Sequence, residues 1–228
     1  MKYLIVNADD FGASRGINRG IIEAHRNGIV TSTSLIVNTP FGEEAAKLAN
    51  EARHLSVGLH VAPPKAPDAT TERLREELQR QFARFVELMG RPPSHLDSHH
   101  NVHRDPALLP HFVELAAEHG LPLREHSPVR YFASFYGKWN GESHPEQVSV
   151  ENLARMLESE IGEGFTELSC HPGYVDADHA GSYSVEREVE LGTLCDPAIR
   201  RALAEQGIDL ISYHEMATAL AKENTVAA

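Results

Sequence analysis

The chain has 228 residues, 41% of them hydrophobic and 24% charged, a globular composition long enough for one sizeable core. Its 21 lysines and arginines against 33 aspartates and glutamates give a formal charge of −12, which argues against a nucleic-acid or anionic-membrane surface and leaves neutral ligands, sugars among them. Two cysteines without CxxC spacing provide no disulfide framework, the first apolar run is too short for a signal peptide, and no segment approaches a membrane span, so a soluble cytoplasmic protein is expected.

In chain order, the apolar run Tyr3 to Val6 reads as a buried strand, followed by a helix in which Ile17, Ile21 and Ile22 share a face and Gly28 is the stop. Residues 30–38 are β-branched and strand-like, 42–52 read as a helix and 55–61 as a strand. A proline-rich loop over 63–70 precedes an amphipathic helix from Thr71 to Met89, with Leu74, Leu78, Phe82, Phe85 and Leu88 on one face. Residues 94–100 read as a short strand running into a loop, and Asp105 with Pro106 as the start of a helix through Glu118. A strand over 121–125 follows, then an irregular stretch from His126 to Gln147, a helix from Val150 to Gly162 and a strand over 165–170. The tail holds a helix from Pro197 to Gln206, a strand over 208–213 and a last short helix. Without repeats or an obvious linker, residues 1–228 are expected to form one domain. The βα alternation implies a parallel sheet, and the absence of a G-x-G-x-x-G turn favours a barrel of about seven strands over a doubly wound nucleotide fold.

In such a barrel the chemistry sits at the C-terminal ends of the strands. Those ends carry Asn7, Asp9 and Asp10, then His60, then Asp97, His99, His100 and His103, then Arg124, and finally His171. Carboxylates with imidazoles make up the ligand set of a divalent cation, and two or three protein ligands with open positions mark a catalytic site. A cation would also explain why two adjacent carboxylates persist, since it neutralises one and leaves the other free as a base. Each residue has a plainer reading: Asp9 and Asp10 as turn or cap residues, His60 as an ordinary strand histidine. His25, His111 and His119 lie on expected helices and read as structural, and Cys170 reads as packing because neighbours on a strand face opposite ways.

Several segments together, NADDFG at 7–12, VGLHV at 57–61, HLDSHHNVH at 95–103, LPLRE at 121–125 and SCHPGYVD at 169–176, resemble the YdjC-like carbohydrate deacetylases, the group containing chitooligosaccharide deacetylase. The resemblance runs in order through nearly the whole chain. It implies a distorted (βα) barrel that removes acetyl groups from N-acetylated sugars with one divalent metal ion, magnesium by family habit and zinc by ligand type, and it suggests a homodimer. Carried over by position, it makes Asp10, His60 and His99 the metal ligands, Asp9 the catalytic base, His171 the general acid and Arg124 the group that orients the base. His100 and His103 are then expected to back the ligands or face substrate. Two departures stand out: Asn101 where many members carry histidine, and a short stretch after His60. A metal-dependent phosphoesterase and a non-catalytic sugar-binding relic are the rival readings, and acetate release separates all three.

Overall fold

The structure, a computed structural model, describes residues 1–62, 71–178 and 181–226, so the proline-rich loop at 63–70 lies outside the described residues. Strand β1 (Lys2–Phe11) leads to helix α1 (Arg15–Asn27), then β2 (Ser32–Leu35), α2 (Gly42–Glu51), β3 (Ser56–Val61), α3 (Thr71–Met89), β4 (Leu96–Ser98) and α4 (Leu109–His119). After β4 a 3-10 segment spans His99–Arg104. The second half comprises β5 (Arg130–Phe132), a hairpin of β6 (Lys138–Trp139) and β7 (Glu142–Ser143), α5 (Val150–Glu160), β8 (Gly164–Cys170), α6 (Val185–Cys195), α7 (Pro197–Glu205), β9 (Ile208–Leu210) and α8 (Tyr213–Val226).

Seven strands form one parallel sheet in the order β4-β3-β2-β1-β8-β5, with β9 also on β1. One edge of β1 pairs with β8 from Lys2 to Ala8, and the other is divided between β9 at Lys2–Leu4 and β2 at Asn7–Phe11. A flat sheet would put β4 and β8, four positions apart, roughly 19 Å from each other at about 4.8 Å per strand. Instead one guanidinium, that of Arg124, lies 2.8 Å from Asp97 on β4 and 2.5 Å from Glu167 on β8. The sheet is therefore rolled into a distorted, incompletely closed barrel, as the βα alternation implied.

Alternation along β1 sorts its side chains between two environments. Leu4, Val6 and Ala8 belong to the large apolar cluster shared with the surrounding helices. Tyr3 and Ile5 pack with Val129, Phe165, Ile211 and Tyr213 in a second cluster that closes the barrel's lower end. Above that plug the same face of the strand continues as Asn7 and Asp9, both buried. The lumen is thus apolar below and polar above, and the polar end is where the strands finish. Among the described residues no helix is long and apolar enough to cross a membrane.

Three expectations need correction. The segment 121–125 contributes a single bridge, Leu96 to Leu123, in place of a strand, and the sheet takes a strand instead from the stretch read as irregular, where β5 pairs with β8. That stretch also holds the β6–β7 hairpin, turned through Asn140 and Gly141, both at positive φ. Helix α4 begins at Leu109, because Asp105 closes a preceding turn by accepting the N–H groups of Ala107, Leu108 and Leu109. Helix α6 is not marked by periodicity, since its inward face sets Glu186, Arg187 and Glu190 beside Leu191 and Leu194 in place of a continuous apolar stripe.

Gly58 on β3 shows how tightly the lumen is filled. A Cβ there would stand 2.4–2.6 Å from the ring of His95, which is itself stacked on Tyr213 at 3.9 Å and within 3.3 Å of Ser34 Oγ. Gly58→Ala should therefore destabilise the fold by about 1–3 kcal/mol, the ordinary cost of overpacking. A thermal melt that leaves the midpoint unchanged would show that the His95 ring can move aside.

Candidate active site

Neighbouring residues in a regular strand face opposite ways, so Asp9 and Asp10 can serve one site only if the strand breaks its own rule. It does: the register of β1 against β2 shifts between Ala8 and Phe11, and Asp10 adopts φ 68, the left-handed region that aspartate tolerates better than most residues. Gly12 follows at φ 95, where an added Cβ would meet the Ile36 carbonyl oxygen at 2.6 Å. The bulge turns Asp10 toward the same mouth that Asp9 faces.

There Asp10 meets the two histidines named with it. Its Oδ1 lies 2.8 Å from His99 Nδ1 and 3.4 Å from His60 Nε2, and one ligand atom from each of the three residues falls within 4.8 Å of the others. One oxygen and two imidazole nitrogens converging on a point fit a divalent ion of the zinc, cobalt or manganese kind. The other nitrogen of His60, Nδ1, is 2.7 Å from Asp97 Oδ1. A carboxylate behind an imidazole fixes its tautomer and aims the free lone pair, an arrangement typical of metal-ligating histidines. Burial alone would depress His60, but Asp97 and Asp10 lift it to about 10. The site thus favours positive charge at Nε2, which a proton or a divalent ion supplies. Asp97 was noted in sequence as a strand-end residue, but its partner could not be read there.

Asp9 sits beside this cluster and is held differently. Arg124 grips it with two bonds, Nη1 to Oδ2 at 2.8 Å and Nη2 to Oδ1 at 2.7 Å, while Asn7 Nδ2 donates to Oδ1 at 2.9 Å. Burial opposes the charge on Asp9, yet Arg124 outweighs it and keeps the carboxylate below its usual range. Asp10 is held further down, against its burial, by Arg187.

His171, at the end of β8, faces Asp9 across 4.0 Å from Nε2 to Oδ2. Burial pushes it down to about 4, against the pull of Asp9 and Asp10, so it rests as neutral imidazole. Its backbone N–H donates to Glu190 on α6, and the same carboxyl accepts from the Tyr183 hydroxyl. Burial lifts Glu190 to about 8 even so. Tyr183 stacks on Tyr136 with centroids 4.5 Å apart, and both rings stand edge-on to His171. His171, Tyr136 and Tyr183 wall a cavity of about 550 Å³ that also exposes Asp9, Asp10, His60, His99, His100 and Asn101.

Every strand-end residue named from sequence as a candidate for the site is therefore at or directly behind this cavity except His103. That side chain is buried between Ser98 Oγ at 2.7 Å and Glu125 at 3.3 Å, beside Phe112, and does not line the opening. His100 does line it, stacked on His99 at 3.9 Å. His25 bonds the Val30 carbonyl, His119 stacks on Phe82, and the Cys170 thiol is buried against the Asn7 carbonyl, all structural as expected. Sequence reasoning missed Arg187, Glu190 and Tyr183. No motif spacing marks such a clamp in the sequence.

The model of the family described as YdjC-like protein matches residues 3–63 and 64–205. A chitooligosaccharide deacetylase of Serratia marcescens is 38% identical, with 94% of this chain and 99% of that protein covered. A carbohydrate deacetylase of Geobacillus stearothermophilus is 36% identical over 94% of this chain and 98% of its own. Among solved structures, one from Enterococcus faecalis matches at a TM-score of 0.81 with 28% identity, covering 94% of this chain and 98% of that one. A family 4 carbohydrate esterase of Streptomyces lividans shares the fold at a TM-score of 0.58 and 17% identity, over 92% and 91% of the two chains. On its matches, its barrel and the residues gathered at its mouth, this chain belongs to the YdjC-like family.

Proposed function

We propose that this protein is a metal-dependent carbohydrate deacetylase that hydrolyses the acetamide of an N-acetylated sugar or short oligosaccharide of the chitooligosaccharide type. The observation that carries the reading is the convergence of Asp10, His60 and His99 on one point, with Asp9 and His171 lining the same cavity. The deacetylases among its relatives, similar over nearly their whole lengths, support the same chemistry.

Asp10, His60 and His99 would hold the ion, with Asp97 aiming His60 from behind. A bound divalent ion supplies Lewis acidity toward the acetamide carbonyl and lowers the pKa of water in its coordination shell. Asp9, ionised and pinned by Arg124, takes the proton of the attacking water. His171 rests neutral, so it must receive a proton before it can give one to the departing amine. Asp9 Oδ2, 4.0 Å from His171 Nε2, is placed to pass it on. Arg124 orients Asp9 and keeps it charged. The stacked Tyr136 and Tyr183 form an apolar wall against which a sugar ring can lie.

The phosphoesterase reading is disfavoured by where the nearby cations are spent. Arg124 is committed to Asp9, Asp97 and Glu167, Arg187 to Asp10 and two carbonyls, and Arg104 to Glu125, so none of these guanidiniums faces the cavity free for a phosphate. A neutral acetamide needs no such partner and tolerates the acidic chain.

The two adjacent carboxylates should fail differently. Asp9→Asn keeps the ion and loses turnover by the ~10²–10⁴-fold of a removed general base, whereas Asp10→Asn also loses metal affinity. Metal analysis with acetate release from N-acetylglucosamine oligomers checks both; an emptied site in the first variant and a filled one in the second would reverse the assignment. Asp97→Asn should weaken metal binding about 10–100-fold without touching substrate directly. Unaltered affinity there would mean that His60 does not need its backing. If the unaltered protein, supplied with zinc, manganese, cobalt or magnesium, releases no acetate from these sugars, the deacetylase reading falls.

A further inference from the structure

Arg187 is buried on α6, and its guanidinium donates in three directions. Nη2 reaches Asp10 Oδ2 on β1 at 2.5 Å, Nη1 the His171 carbonyl at 3.3 Å, and Nε the Tyr183 carbonyl at 3.0 Å. Its Cζ also lies over the Tyr183 ring, 5.6 Å from the centroid. One turn along the helix, Glu190 accepts the backbone N–H of His171 and the hydroxyl of Tyr183. Two consecutive turns of one helix thus grip both ends of the segment from His171 to Tyr183, and the first turn grips Asp10 as well.

A plainer account would make Arg187 a fastener for the loop that precedes its own helix, because Tyr183 is only four residues upstream. That account explains Nε and leaves out Asp10, 177 positions away in sequence. It also leaves out a consequence for the carboxylate. With Oδ2 occupied by Arg187, Asp10 presents only Oδ1 to His60 and His99.

We propose that Arg187 is a positioning residue that couples ion binding to proton transfer, holding Asp10 to a single ligating oxygen while the same fork sets the place of His171. The inference rests on the deacetylase reading and adds to it a joint between the ion's carboxylate and the opposite wall. The fork is essential to the idea, because a lysine ammonium is a single point charge and cannot span three divergent acceptors.

Co²⁺ is a suitable probe, since calorimetry gives its affinity and its visible absorption reports coordination without any turnover. Arg187→Ala should weaken Co²⁺ binding about 10–100-fold, the usual effect of losing a group behind a ligand. It should also lower kcat at saturating Co²⁺, and guanidinium ion added to the buffer should restore affinity and kcat together. Arg187→Lys should bring back affinity by donating to Asp10 Oδ2 in place of the guanidinium, while kcat stays low. Glu190→Gln should leave Co²⁺ affinity intact and lower kcat, because it touches only the His171 side of the joint. Should Arg187→Ala fail to fold, the lysine and glutamine variants still decide. The proposal is overturned if Arg187→Ala binds Co²⁺ as tightly as the unaltered chain. It is equally overturned if lysine restores both properties, or if guanidinium restores one without the other. An unaltered chain that neither binds Co²⁺ nor releases acetate would instead remove the deacetylase reading, an outcome visible before any variant is made.

Discussion

The upper half of this barrel is organised around one buried cation. Arg124 lies in the lumen with its guanidinium shared among Asp9, Asp97 and Glu167, which arrive from β1, β4 and β8. Burial disfavours its charge, but the three carboxylates overwhelm that and hold it firmly protonated. The reverse dependence is as strong, because removing one partner of a buried ion pair leaves uncompensated charge in a poor solvent, at a cost of about 3–5 kcal/mol. The same contacts therefore close the sheet and keep Asp9 and Asp97 ionised against their burial, whereas burial still raises Glu167.

From Arg124 the arrangement spreads outward in order. Asp97 is shared between Arg124 and His60, so the residue that helps roll the sheet also aims a ligand. Ser34 donates to Asp97 at 2.5 Å, and Asn7 Nδ2 bonds Ser34 at 2.7 Å and Asp9 at 2.9 Å. Such chains stiffen one another in a low-dielectric interior, and each member's geometry is fixed by two partners instead of one. A site that must present ligand atoms to within fractions of an ångström gains directly from this rigidity. The lower lumen needs none of it and is filled by aromatic and aliphatic side chains.

Asp10 belongs to a different system. It escapes the lumen through the bulge in β1, and its counter-charge comes from α6, a helix outside the sheet. The two carboxylates that adjoin in sequence are thus neutralised by two different arginines, Arg124 in the lumen and Arg187 on α6. That separation lets one carboxylate face the ion-binding imidazoles while the other stays on the proton-transfer side, although both sit within one turn of chain.

The sequence by itself determined the alternation of strands and helices, because period-two and period-3.6 apolar patterns follow from local geometry. It also determined which chemistry-bearing side chains stand at the strand ends, and the histidine-rich run after β4 with the paired aspartates near the end of β1 pointed to the mouth where the structure gathers them. What the tertiary structure alone decided was how those groups are paired. Nothing local says that Arg124 spans β1, β4 and β8, since the contact exists only once the sheet has rolled. The bulge at Asp10 is a matter of register between β1 and β2, which no single strand carries. Helix α6 stayed illegible for the same physical reason that it matters: its buried face mixes charged groups with leucines, its partners lie as far as 177 positions away, and periodicity detects only faces that are buried because they are apolar.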